Sequence, residues 1–234
     1  MSKTAWITFA VICIGVLGGL VYMSSQEGRV SVEDVNANSI LSASEDSGNI
    51  GDRVYGNRDA KVVLIEYGDY QCPGCAEAAP SVKSVKEQYG DDLAFVFRNF
   101  PLTQIHPNAR VAAAAAEAAG EQGKFWEMHD LLYAEQTAWS TLSSNARSDY
   151  FLSQARTLEL DQTKFSEDLA SSQVNQKINF DIALGRKQQV EATPSFYLNG
   201  EALSQEQWNT EEALREAVEA ALQDAGVELS ATEN

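Results

Sequence analysis

Three features of the sequence predict an α/β domain interrupted by an all-helical insertion. Two short β-branched apolar runs, Lys61–Tyr67 and Leu93–Phe97, flank a helical stretch from Cys75 to Tyr89. From Pro107 to about Gln188 the chain reads as helix throughout. A third strand-like run, Ser195–Leu198, and an amphipathic helix over 211–225 then close the domain. Strand, helix, strand is a βαβ unit with a right-handed crossover, and a helical block between strands of one sheet reads as an insertion.

The first element is an anchor. Residues 5–23 form an apolar run in which Thr8 is the one plainly polar side chain. As a helix it reaches roughly 28 Å, close to the hydrocarbon thickness of a bilayer. Cys13 lies inside it and reads as a small hydrophobe. Lys3 precedes the run, while Glu27, Glu33 and Asp34 follow, with Arg29 the one nearby base. This bias predicts a single-pass segment with its N-terminus in the cytoplasm and the rest of the chain outside the cell membrane. A cleaved signal sequence is the alternative, but its apolar core is usually about 7–15 residues and ends at small residues. Residues 24–50, rich in Ser, Asn and acids without a sustained period, predict a flexible acidic linker. It is too short for a separate dimerisation domain, so a monomer is expected.

The folded part spans residues 51–234, with the insertion at about 104–189. Lys61–Tyr67 is near-continuously apolar at strand length, which predicts a central strand buried on both faces. Leu93–Phe97 follows the turn signal Asp91-Asp92, and Ser195–Leu198 is closed by Asn199-Gly200. Pro80 falls inside the intervening helix and predicts a kink. In the insertion, Pro107 suits a first helical turn, residues 109–119 are alanine-rich and Gly120 is a terminator. Lys124–Glu135 carries Phe125, Met128, Leu131 and Leu132 at helical spacing, Asp161 suits an N-cap, and residues 174–189 form another helix.

Composition limits the chemistry. The 234 residues carry 34 acids and 17 bases, a net charge of −17, which argues against nucleic acid and anionic membrane surfaces as partners. Three cysteines are too few for a disulfide-stapled fold. Outside the anchor only Cys72-Pro73-Gly74-Cys75 remains. A zinc site needs two further ligands, and beyond the anchor only His106 and His129 are available, so neither metal nor cofactor is expected. An inert disulfide closing so short a loop adds little stabilisation. Position favours redox chemistry: the pair follows a buried strand and opens a helix, where free N–H groups and the helix dipole favour a thiolate at Cys72. Cys75, one turn along, is placed to attack a mixed disulfide formed at Cys72.

Three further residues each admit two readings. Thr193-Pro194 is either an ordinary strand start or a cis peptide bond whose Thr193 backbone pairs with an extended substrate. Glu66 is either a side chain reaching water from a sheet end or a proton acceptor of raised pKa beneath the cysteines. Asp69 reads as a turn former, His106 as a loop or cap residue rather than a catalyst, and Phe125-Trp126 as core.

These residues resemble a family. The stretch GNRDAKVVLIEYGDYQCPGC (56–75) is similar to the DsbA-like branch of the thioredoxin superfamily. So are FRNFPL (97–102), HPNA (106–109) with the alanine helix, GKFWEMHD (123–130) and ATPSFYLNG (192–200). The resemblance covers about residues 52–222, and membrane-tethered Gram-positive-type members look closest. It implies a thioredoxin fold with a helical lobe and dithiol–disulfide exchange as the activity. By motif position Cys72 is the attacking cysteine, Cys75 the resolving one and Pro194 the cis-proline after Thr193. Glu66 falls where the family carries a buried acid. Pro73 and Gly74, with Thr193 and Pro194, form the expected substrate-binding set.

The implied role is a thiol oxidase acting on cysteine-containing exported proteins and reoxidised by a quinone-linked membrane protein of the DsbB or vitamin K epoxide reductase type. Two departures bear on this. Gly74 stands where strongly oxidising members carry histidine, whose absence should raise the Cys72 pKa. Threonine before the cis-proline also occurs in isomerase-like relatives. An isomerase or reductase kept reduced by a membrane donor is therefore the alternative, and a non-catalytic docking or chaperone-like module is a third.

Overall fold

A computed structural model describes residues 30–228. Among them no helix is long and apolar enough to cross a membrane, and the apolar run 5–23 with Cys13 lies outside the described residues. Five strands form one sheet in the order β1-β3-β2-β4-β5: β1 (Arg53–Gly56), β2 (Val62–Gly68), β3 (Leu93–Asn99), β4 (Ser195–Leu198) and β5 (Glu201–Ala202). β2 and β3 run parallel and the other pairs antiparallel. The crossover between β2 and β3 is helix α1 (Pro73–Gln88), which begins two residues before the predicted start and runs through Pro80. β1 and β5 were not predicted; both are short, and neither shows an apolar alternation.

The insertion is helical, as expected. It comprises α2 (Ala109–Gly120), α3 (Phe125–Ala134), α4 (Gln136–Trp139), α5 (Ser144–Thr157), α6 (Gln162–Leu169) and α7 (Ser172–Lys187). Asp161 caps α6 by accepting from the Lys164 N–H, and Ser171 caps α7 in the same way through Val174. Each such cap contributes roughly 1 kcal/mol. After β4 and β5, α8 (Glu211–Asp224) packs its Leu214, Val218 and Leu222 face into the core.

Alternation along the central strands sorts the core into two layers. Leu64, Phe95, Phe97 and Phe196 face α1, α3 and α8, whereas Ile65, Tyr67 and Val96 face α7 through Phe180 and Leu184. α7 lies close to this second face: a Cβ at Gly185 would come within 2.6 Å of the Phe100 ring, so only glycine permits the approach.

From Val30 onward the stretch expected to be a linker lies against the folded domain: Ala37 is buried in the layer on the second sheet face, and Ile50 joins the first layer. Arg98 of β3, fully buried, donates to the carbonyls of Ala37 and Ser39, to the Tyr67 hydroxyl and to both oxygens of Asp52. Asp52 in turn accepts from the Leu41 N–H at 2.8 Å and from Lys177 at 3.2 Å. Burial alone would raise the Asp52 carboxyl, but Lys177 and Arg98 overcome it and bring it down to about 2. Lys187 adds three bonds to the carbonyls of Val32, Glu33 and Val35. Composition hid this order because the segment's small apolar residues, Val30, Val32, Val35, Ala37, Ile40 and Leu41, follow no regular period, and its polar ties are to backbone acceptors.

Candidate active site

β2 ends at Gly68, and the chain turns through Asp69–Gln71 into α1. Cys72 is the N-cap residue in extended conformation, and Pro73 occupies the first helical turn, where a missing N–H leaves nothing unpaired. Cys72 and Cys75 are both free thiols, buried by the surrounding turn. The Cys72 thiol donates to the Thr193 carbonyl at 3.2 Å. Thr193-Pro194 is a cis peptide bond, so the cis reading is the correct one. Gly74 sits over the pair: a Cβ there would lie 3.6 Å from Pro194 Cδ and 3.8 Å from Cys72 Sγ, in ordinary contact with both. Pro73 is exposed, Gly74 and Thr193 are half-buried and Pro194 is buried, so the four expected substrate-binding positions do converge around Cys72.

The two thiols are driven apart in acidity. A hydrogen bond from the Cys75 thiol is the main cause that brings Cys72 down to about 5, and it outweighs partial burial. The Thr193 side chain and the N–H groups of Cys75 and Gly74 add to it. Thr193 Oγ1 makes no bond to protein while Cys72 is a thiol, which leaves its hydroxyl free to turn to the thiolate. Cys72 is thus held low without the imidazole that Gly74 omits. Cys75 moves the opposite way: burial first, then its bond to Cys72 and the nearby Glu66 carboxyl, push it well up. This environment favours the thiolate at Cys72 and the protonated thiol at Cys75.

Glu66 lies on the strand face that carries α1, flanked across the sheet by Phe97 and Phe196. It is 2 % exposed, which excludes the water-reaching alternative. Burial pushes its carboxyl up to about 8, with the Lys86 cation opposing and Cys72 adding to the rise. Among the described residues no hydrogen bond offsets the burial, which favours the protonated carboxyl at neutral pH.

Several residues that set the geometry carried no usable sequence signal. Gln136, from the insertion, donates through Nε2 to the carbonyls of Tyr70 and Cys72, both at 2.9 Å. Gln71 bonds to the Ser140 carbonyl and accepts from the Asn108 N–H. Asp69, expected as a turn former, also accepts from the N–H groups of Gln71 and Leu102 and contacts His106 Nδ1 at 2.8 Å. His106 is therefore a loop clamp, as its place before Pro107 suggested. His129 is buried among Tyr70, Phe97, Trp126 and Tyr133, and burial takes its imidazole down to about 4. Its Nδ1 contacts Asp130, which also pairs with Lys83 and the buried Lys86. Phe125 is core, and Trp126 stacks over the Lys86 ammonium at 4.3 Å. Among the described residues, no cluster of three or more His, Cys, Asp or Glu side chains is gathered to hold a metal ion.

Comparison with known proteins agrees with this geometry. Residues 48–220 match a family model described as Thioredoxin. A stretch of 149 residues, 64% of the chain, is 42% identical to a sodium–proton antiporter NhaA 1 of Salinispora arenicola, and a similar match at 38% occurs in Mycolicibacterium vanbaalenii. The chain spans under a quarter of the length of these relatives, 22% and 23%. Among solved structures, a thioredoxin-like oxidoreductase from Silicibacter pomeroyi aligns with a TM-score of 0.60 at 27% identity, covering 79% of this chain and 98% of that one. Oxidised BdbD from Bacillus subtilis shares the fold with a TM-score of 0.64 at 23% identity, over 79% of this chain and 99% of that one. With a cysteine pair opening α1, a cis-proline beside it and a family model spanning most of the chain, this protein belongs to the thioredoxin family.

Proposed function

We propose that the chain is a dithiol oxidase that introduces disulfides into exported proteins, working on the outer side of a cell membrane. The direction is supported by the placement of the pair: Cys72 is the N-cap of α1 with Thr193 beside its sulfur, an environment that brings it down to about 5, while Cys75 is buried and pushed well up. A thiolate stabilised in the reduced state favours that state, and so makes the disulfide a strong oxidant.

In the oxidised protein, a client thiolate attacks Cys72 Sγ, the Cys72–Cys75 bond breaks and a client–Cys72 disulfide forms. Cys75 leaves with the bonding electrons, and the protonated Glu66 carboxyl beneath the pair is the proton source that neutralises it. The client's second thiolate then attacks its own sulfur in the mixed disulfide and expels Cys72 as a stabilised thiolate. The client loses two electrons and the protein gains them. A quinone-linked membrane disulfide donor accepts them in turn and restores the Cys72–Cys75 bond. The Thr193 carbonyl beside cis-Pro194 is the backbone acceptor for an extended client segment. The apolar run 5–23, with its flanking charges, supports a single-pass anchor that holds the domain outside and near such a partner. A single catalytic domain suffices for this exchange, in keeping with a monomer.

Thr193 and Gly74 favour a second reading, an isomerase or reductase kept reduced by a membrane donor. The equilibrium potential of the Cys72–Cys75 pair against glutathione decides between them. The oxidase requires a value well above that of thioredoxin, about −270 mV, and a reduced form more stable to denaturant than the oxidised one. A value at or below about −270 mV sinks the oxidase and supports the reductive reading. Retained function in Cys72→Ala would instead indicate a non-catalytic docking module.

A further inference from the structure

A groove of about 880 Å3 opens between the loop after β3 and the end of α7, within the size range of ligand sites. Its first wall is the loop after β3, with Leu102 and Ile105. This wall is fastened to the active-site turn: the Leu102 N–H donates to Asp69 Oδ2 at 2.8 Å, and the Cys72 N–H donates to the Asp69 carbonyl at 3.0 Å. Its second wall is the end of α7, with Ile182 and Arg186, continuing to Val190 and Glu191. Glu191 lies two residues, roughly 7 Å of extended chain, before Thr193, whose carbonyl accepts the Cys72 thiol. Each wall thus leads directly to Cys72.

The chemistry of the lining is specific. Ile105 is 69 % exposed and is the one exposed large hydrophobic side chain among the described residues. Arg110 bonds only to the neutral side chains and backbone of Asn175 and Asn179. Arg186 forms no ion pair among the described residues. Glu191 is the single acid on the lining. Two unneutralised arginines against one carboxylate make this groove cationic in a chain of net charge −17. Its complement is an anion attached to something apolar.

We propose that this groove docks the client segment flanking the exchanging cysteine, and that it selects an extended peptide with an apolar side chain for Ile105 and a carboxylate for Arg186 and Arg110. The proposal rests on the oxidoreductase reading and adds a substrate preference to it. A peptide paired along the Thr193 backbone enters the groove within two to four residues of its cysteine, at about 3.3 Å per residue. Lysine at those positions meets like charge and is disfavoured.

The test uses the full chain in its disulfide form and two dithiol peptides that differ only in Glu or Lys three residues from the first cysteine. Peptide oxidation rates are compared, with reduction by dithiothreitol as the reference. The Glu peptide is expected to react about five- to tenfold faster, an advantage that shrinks in 0.5 M salt. Arg186→Glu, at an exposed position, should reverse the preference and leave the dithiothreitol rate unchanged. Ile105→Ser should slow both peptides. Equal rates for the two peptides, or a preference that survives Arg186→Glu, overturns the groove while leaving the redox reading standing. Failure to react with dithiothreitol at all overturns the redox reading as well. Concentration-dependent self-association that Arg186→Glu abolishes would assign the groove to a second copy and overturn the proposal.

Discussion

Gln136 and Cys72 are joined across the two parts of the molecule: the Gln136 amide, from the helical insertion, donates to the Cys72 carbonyl at 2.9 Å and equally to that of Tyr70. The insertion therefore does more than cover the sheet, because it fixes the turn that aims Cys72. Gln136→Leu leaves the Tyr70 carbonyl without this donor and the Cys72 carbonyl with only the Ala76 N–H, and should cost about 1–3 kcal/mol. Urea unfolding measures that loss. If the amide also positions the turn, the Cys72 pKa should rise and peptide oxidation should fall several-fold; a stability loss alone would limit Gln136 to a structural role.

Cys72 ties stability to pH in the reduced protein. Its folded pKa is depressed to about 5 from an ordinary value of 9.0, so between those values the unfolded chain binds more protons. Reduced-state stability should therefore rise as pH increases from about 5 to about 9 and be lost as pH falls through 5. Thiolate absorbance should titrate near 5. A Cys72→Ser variant removes this dependence, and an unchanged profile in that variant would refute the assignment.

Gly74 leaves room for the histidine found in strongly oxidising relatives. Its Cβ position contacts Pro194 and Cys72 Sγ at ordinary distances, so Gly74→His should fold. An imidazolium there stabilises the thiolate further. The Cys72 pKa is expected to fall below 5 and the reduction potential to rise, by about 30 mV for each tenfold change in the exchange constant. Thiolate titration and glutathione equilibration read both quantities.

Glu66 carries the opposite linkage. Its folded pKa, about 8, lies above the ordinary 4.5, so the folded protein binds more protons between them. Its contribution is fully present below about 4.5 and is lost as pH rises through 8. Glu66→Gln should thus be relatively more stabilising at pH 8 than at pH 4. It should also slow the step in which Cys75 gains or loses its proton and flatten the pH profile of that step. Stopped-flow fluorescence across this range tests the claim.

Arg98 and Asp52 form a buried pair that fastens residues 37–41 to the sheet. Removing Arg98 leaves buried Asp52 only Lys177, which it shares with Asp181, so Arg98→Ala should cost about 3–5 kcal/mol. Amide exchange at Leu41 should accelerate along with the drop in urea midpoint. Surface pairs such as Lys164–Asp168 should contribute under about 1 kcal/mol when broken, which provides an internal control.

Much of this protein is legible along the chain. β2, β3 and β4 announce themselves because β-branched and aromatic residues cluster at strand length, and α1, α2, α3, α6, α7 and α8 because helical periodicity and caps such as Asp161 are local signals, whereas α4 and α5 read only as part of a helical block. The same locality exposes Cys72 and Cys75, since a thiol pair at the start of a helix is a feature of four consecutive residues. Glu66 was visible as an acid in an apolar strand, but its role waited on the register that sets it between Phe97 and Phe196. β1 and the 30–50 segment gave no such signal. β1 is ordered by its antiparallel pairing with β3, and the 30–50 segment by Arg98 and Lys187 reaching backbone carbonyls 61 and 155 residues away. Every residue offers a carbonyl, so the acceptor has no sequence signature. By itself the sequence determined the elements and the reacting sulfurs, because those depend on near neighbours. Only the tertiary structure decided which distant group joins the Cys75 thiol and the helix N–H groups in holding Cys72 near 5, because Thr193, 121 residues along the chain, reaches it only once the chain has folded.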